Sequence, residues 1–473
     1  MAFKSTLFRN LSANTLQLVV NQLAGLAIFY LLSTGLTKND FGLLNLALAI
    51  LMIAFNLLSL GIDQISIRKI AAGDNTAEVL GLYIFHVLFT GLIFYGLILA
   101  GGIFFYQTAA VYPLLLLIGA GKLMIYFSTP FKQAASGMER FRLMGLMLVV
   151  SNLLRSIALM ILALLHIISL QNAVIVFIAG DVLELTISAI AFSRGTGMHL
   201  HILVNKQKYF ALLREALPQT GVNIITSAIA RFDWVFIGIM ASAVKLAEYS
   251  FAYKVFEMST LPLLAIAPLL IPKFTKMFKQ GMPDTERLKY LIRIEMIIAA
   301  FTALVLNLLW QPVMDAVTHG KYGAVNSNTF FILTLCIPFL YLNNFLWTIF
   351  FAKGEMKMIL RGFVITLLVN AGLDLVLIPL FGNEGAAAAF LASCLAQAAF
   401  YLYHNQINAL NAIWQNLPLC MGCALISGFA SKAITANYWL SVPLACIFFA
   451  LLLSTTKQLK ISDGRAALNL FSA

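Results

Sequence analysis

Four basic side chains stand inside long apolar runs: Lys122, Arg155, Arg231 and Lys254. An ionised group at membrane depth is expensive and by default faces a cavity or a partner. Counting about 1.5 Å per residue from the ends of each run places all four in the middle third of an apolar layer. Two come from each half of the chain. The chemistry open to such groups is to attract and hold an anion. The competing expectation is local pairing with a carboxylate, which Glu257, one turn from Lys254, offers most directly. Asp233 is two residues from Arg231 and points to a different helix face. Arg155 has no acid in its own run and shares a stripe with Asn152.

The acids within or beside the apolar runs are Asp63, Asp181, Glu184, Asp233, Glu257 and Asp374. They are the candidates for ion coupling, and Asp181 and Glu184, one turn apart, are close enough to share a proton or a sodium ion. Pairing with a basic side chain of a neighbouring helix is the alternative. Polar stripes recur at helical spacing: Asn14, Gln17 and Asn21; Asn45, Asn56, Ser59 and Asp63; Gln219, Asn223, Ser227 and Arg231. In lipid such stripes must meet other helices or water. Single Asn or Ser residues serve as helix–helix glue, whereas a stripe running most of a helix predicts a wet cavity. Tyr249, Tyr253 and Phe256 form an aromatic face, and Pro262, Pro268 and Pro272 predict a bent or broken helix, since each removes a helical hydrogen bond.

Catalytic constellations are missing. The six histidines are scattered without metal-ligand spacing, and no phosphate-binding or dinucleotide glycine loop appears, so neither a resident metal nor another cofactor is expected. The five cysteines lie in apolar runs, where Cys420 and Cys423 read as small packing residues rather than a redox pair.

The elements that position these residues follow from composition. With 61% hydrophobic residues, 11% charged and a mean hydropathy of +0.92, the chain carries more apolar surface than one soluble core buries. Apolar runs of roughly 20 residues match the length a helix needs to cross lipid. Runs near 12–33, 41–62, 79–105, 111–136, 142–166 and 170–192 are followed by a basic connector and by runs near 217–240, 246–272, 289–312, 327–352, 358–380, 384–404, 412–435 and 437–455, fourteen in all. The first contains four amides and no cleavage site, so it reads as a retained span. With the amino terminus inside, inner segments hold 23 Lys and Arg residues, among them Lys132, Arg140 and Arg142, and outer segments only four. Positive residues stay in cytoplasmic loops, which predicts that both termini are cytoplasmic. The net charge of +12 is spread between apolar runs, unlike the single basic face of a nucleic-acid binder.

The two halves resemble each other. Asp40-Phe41-Gly42 matches Glu248-Tyr249-Ser250 at an offset of 208, Gly137-Met138-Glu139 matches Gly354-Glu355, and Asn152 matches Asn370. A duplicated six-span unit is the reading, with a site between repeats as in many transporters. The expected fold is therefore all-α and membrane-integral: an amino-terminal lobe over 1–200, a basic connector over 201–216, a carboxy-terminal lobe over 217–404, and two appended spans with a tail over 405–473.

The sequence resembles the polysaccharide transport branch of the multidrug/oligosaccharidyl-lipid/polysaccharide (MOP) exporter superfamily, which includes the O-antigen flippases. The carrying residues are Leu36-Thr37-Lys38-Asn39-Asp40-Phe41-Gly42, Gly61-Ile62-Asp63 with Arg68, Asp233-Trp234-Val235-Phe236-Ile237-Gly238 with Tyr249, and Asn370, Asp374 and the segment 378–387. The resemblance implies two six-helix lobes and a cationic cavity for a polyprenyl-pyrophosphate-linked sugar. It also implies alternating access driven by an ion gradient in the bacterial cytoplasmic membrane, the chain working as a monomer beside polysaccharide-assembly machinery. A drug or cation exporter of the same superfamily is the nearest rival, though four central cations oppose a cationic cargo. A polysaccharide polymerase or ligase needs a larger outer loop than residues 313–326 supply.

Overall fold

The structure, a computed structural model, describes residues 20–105, 109–198, 201–279, 285–405, 407 and 413–459. Among the described residues every regular element is a helix. The chain runs through α1 (Val20–Gly35), α2 (Lys38–Leu58), α3 (Ile62–Ala71), α4 (Thr76–Phe105), α5 (Tyr112–Gly137), α6 (Phe141–Leu164), α7 (Leu170–Thr196) and α8 (Lys206–Met240). It continues through α9 (Ala243–Met258), α10 (Leu261–Lys279), α11 (Thr285–Thr318), α12 (Ser327–Lys353), α13 (Met356–Phe381), α14 (Asn383–Tyr403), α15 (Ile413–Ile434) and α16 (Tyr438–Thr455).

Twelve of these helices, α2, α4 to α8 and α11 to α16, are long and apolar enough to cross a membrane. The other two expected spans take different forms. The first corresponds to α1, a shorter apolar helix within the described residues. The eighth is divided into α9 and α10 at Ser259 and Thr260, immediately before Pro262, while helical backbone continues through Pro268 and Pro272. Lipid-facing surface is plain on α4, where Leu97 and Ile103 are 67% and 84% exposed. Apolar surface of that extent is stable only against lipid or another protein.

Local chemistry sets the ends of the elements. The Thr37 hydroxyl accepts from the Asp40 N–H at 3.1 Å and donates to the Asp40 carboxylate at 2.8 Å, a cap that starts α2. The second span ends in a break, because Leu60 and Gly61 have φ of +46° and +72°, which glycine adopts without penalty. The short α3 that follows is tied to α8 by Arg68 and Lys69, which both reach Glu215.

The basic connector is shorter than expected. Asn205 caps α8 by accepting from the Lys208 N–H at 3.0 Å, so residues 206–216 form the first turns of a 35-residue helix. Two compact units result, Met1–Ala247 and Glu248–Ala473. The dividing point falls after α8, not before it, because α8 packs on α2 and α3 within the first unit. In that unit α7 packs on α5 and α6; in the second, α14 packs on α12 and α13, and α11 on α12, α15 and α16.

Candidate functional site: a buried charge cluster in the first unit

Three helices of the first unit bring five charged side chains to one place. Asp181 and Glu184 lie one turn apart on α7, on the face packed against α5 and α6. Arg155 of α6 donates through one nitrogen to both carboxylates, in close contact with Asp181 and at 3.2 Å from Glu184. Lys122 of α5 reaches Asp181 at 3.2 Å, and Lys132, ten residues further along the same helix, forms a close ion pair with Glu184. Ser151 donates to Glu184 at 2.5 Å. Asn152 accepts from Arg155 at 2.7 Å and donates to Asn21 of α1 at 2.5 Å, so a fourth helix closes the network.

Backbone spacing makes room for this chemistry. A Cβ on Gly121 would stand 2.6 Å from Asp181 Oδ2, and one on Gly180 would overlap the Arg155 side chain. Glycine at both positions lets α5 and α6 approach α7 closely enough for short side chains to meet. The cluster is dry: the side chains of Arg155, Asp181 and Glu184 are 5%, 0% and 6% exposed, whereas Lys122 is 21% exposed and lies 5.3 Å from the Phe177 ring centre. Among the described residues Asp181 Oδ2 and Arg155 Nε have no hydrogen-bond partner. With every group ionised, three cations face two carboxylates and one positive charge is in excess.

The expected cavity-facing cations therefore have different surroundings. Arg155, expected to face water, is neutralised by acids of the next helix. Lys254 pairs with Glu257 on α9 at 2.7 Å, as local pairing anticipates. Arg231 lies over the Trp234 ring, 4.4 Å from its centre, and donates to the Ala230 carbonyl at 2.8 Å. Asp233 is buried and accepts from the Trp234 N–H at 2.9 Å. Asp374 is buried on α13 and accepts from Asn370 at 2.9 Å. These residues do not join the cluster.

The polar stripes of the second and seventh spans, expected to line a wet cavity, are each other's partners. Asn56 donates to Ser227 at 3.0 Å, Gln219 to Asn223 at 3.2 Å, and Asn223 to Ser59 and Asp63 at 3.5 Å each. Thr220 donates to the Leu60 carbonyl at the α2–α3 break, at 2.8 Å. In a lipid environment this contact satisfies groups that would otherwise demand water, and it explains why α8 stays with the first unit. Asn45 is buried on α2, and Asn14 and Gln17 lie outside the described residues.

One cluster member was misplaced by sequence reasoning. Lys132, counted among the basic residues of the inner segments, lies within α5 and is buried to 6% exposure. The signal that could have found it is the need of Glu184 for a second cation.

A multi-pass helical membrane protein with this order of helices has the fold of the MOP-superfamily transporters. The lipid II flippase MurJ in an inward closed conformation superposes with a TM-score of 0.73 at 12% identity, covering 94% of this chain and 98% of that one. An inward-facing multidrug resistance MATE transporter gives 0.65 at 15% identity over 85% and 98%. A MOP-superfamily transporter from Pyrococcus furiosus, described as having a binding pocket of reversed polarity, gives 0.57 at 13% identity over 86% and 94%. The profile of the polysaccharide biosynthesis protein family matches residues 7–278, and the chain belongs to that family. No curated protein matches the chain.

Proposed function

We propose that the chain is a flippase that moves a polyprenyl-pyrophosphate-linked oligosaccharide across the bacterial cytoplasmic membrane by alternating access coupled to a proton or sodium gradient. The charge balance of the buried cluster carries this reading: one uncompensated positive charge at membrane depth attracts an anion and repels an organic cation. Lys122, the most exposed member, meets the pyrophosphate, with Arg155 behind it; Arg231 is a further cation of the same unit available to the cargo. A phosphate oxygen drawn to Lys122 competes with Asp181 for the same ammonium. Asp181, once released, takes up a proton or sodium ion, which ties cargo binding to the gradient. Glu184 keeps its place through Lys132 and Ser151. Membership of a polysaccharide biosynthesis family supports a glycan cargo, and the fold shared with a flippase supports translocation without a catalytic step; the chain works as a monomer alongside assembly machinery.

Binding of a polyprenyl-pyrophosphate oligosaccharide to purified protein tests the proposal. Lys122→Ala removes one charge-assisted contact, about 1.5–3 kcal/mol, and weakens binding by roughly 10- to 100-fold. Likeness to MATE transporters favours a second reading, export of organic cations. Tight binding of a cationic dye with none of the lipid-linked glycan would establish that reading in place of the first.

A further inference from the structure

The second unit holds a carboxyl group of a different kind. Glu295 lies on α11 and is 7% exposed. Its Oε1 is buried without a hydrogen-bond partner among the described residues. Among the described residues no cation forms an ion pair with it, in contrast to Asp181 and Glu184. From α12, Tyr341 is within electrostatic reach of Glu295, and its hydroxyl donates to the Ser259 carbonyl at 3.2 Å, in the break between α9 and α10. Lys353, at the end of α12, lies over the Phe278 ring. The titratable groups of α15 are Cys420, Cys423 and, near its far end, Lys432; those of α16 are Tyr438 and Cys446. On α11 itself Arg293 is directed at the Tyr290 ring, 5.9 Å away, and Lys289 lies further toward the helix start.

We propose that Glu295 is a proton-binding site of the second unit. A carboxylate sealed from water with no counterion is strongly disfavoured, and such a group takes a proton instead. While α11 packs against α12 as in this structure, Glu295 holds that proton; when the helices part and water enters, the proton passes from the carboxyl oxygen to water and the carboxylate remains. Tyr341 links the two, since it is within electrostatic reach of Glu295 and is bonded to the α9–α10 break. Protonation of Glu295 is thereby linked to the geometry of the divided helix. The ligand is H+ itself, and the site is separate from the cluster in the first unit.

Infrared difference spectroscopy of the reconstituted full chain tests this without any cargo, so it can fail while the flippase reading stands, and the reverse. At neutral pH the wild type is expected to show the carbonyl absorption of a protonated, buried carboxylic acid, and Glu295→Gln to lose that band completely. Glu184→Gln, which changes a carboxylate already held by Lys132 and Arg155, retains it. Should the Gln variant not fold, Glu295→Asp displaces the band instead of removing it. A band unchanged in both Glu295 variants, or absent from the wild type, overturns the assignment.

Discussion

Helices α5, α6 and α7 of the first unit and α12, α13 and α14 of the second occupy corresponding places in the two halves of the chain and are filled with opposite chemistry. Both sets turn from their first helix into their second at a matched Gly-and-Glu segment, Gly137 to Glu139 and Gly354-Glu355. Both place an Asn on the second helix. In the first unit Asn152 orients Arg155; in the second, Asn370 donates to Asp374. A glycine clears space in each, but Gly180 clears it for the Arg155 side chain and Gly362 for the ring of Tyr401. In the second set Asn343 of α12 donates to the Cys394 carbonyl of α14 at 3.0 Å, and within α14 Gln397 donates to Tyr401 at 3.4 Å. A three-helix contact in lipid thus accepts either salt bridges or aromatic packing. The charged version is the one in which removing a single partner strands others.

That difference sets the order of expected effects. The largest is Glu184→Leu, which leaves Lys132 and Arg155 short of a carboxylate in a dry contact; about 3–5 kcal/mol of stability is lost, seen as a lower Tm in detergent. Asp374→Asn, which keeps the shape of the side chain and an oxygen for Asn370 to donate to, has a clearly smaller effect. Equal losses for the two variants would erase the distinction between the sets.

Next come the glycines. Gly180→Val and Gly362→Val each drive a side chain into an occupied space and cost about 1–3 kcal/mol. A Cβ at Gly372 on α13 meets nothing within 4 Å, so Gly372→Ala is neutral or stabilises by up to about 1 kcal/mol. Paired thermal melts of the three variants check whether close approach, and not glycine as such, is what each set requires.

The smallest effect belongs to the exposed clasp between α3 and α8. Lys69 has its pKa raised above the usual lysine value, chiefly by its hydrogen bond to Glu215, which lies at 3.1 Å. A raised folded-state pKa contributes stability that is fully present below the unfolded value and is lost as pH rises through the folded one. The raised lysine pKa therefore leaves this contact's stability flat across neutral pH and makes it decline in strong alkali. Lys69→Met costs less than about 1 kcal/mol, as for exposed ion pairs, and abolishes that alkaline limb in a pH series of melts. A large loss at neutral pH would mean that the clasp does more than fasten α3.

The sequence by itself determined the membrane-spanning helical character, the presence of charge inside the helices and the doubling of the chain. Run length, hydropathy and the placement of Lys and Arg are properties of each segment taken alone. It also marked which face of a helix is polar, as with Asn56 and Asn223, or Asn152 and Arg155. Only the tertiary structure decided what each face meets. Arg155 finds its acids on α7, Lys132 is drawn inside to Glu184, and two stripes that read as cavity lining bond to each other. Helical periodicity specifies a direction around one axis, whereas partnership depends on the order in which helices stand around the bundle and on how closely glycines let them approach.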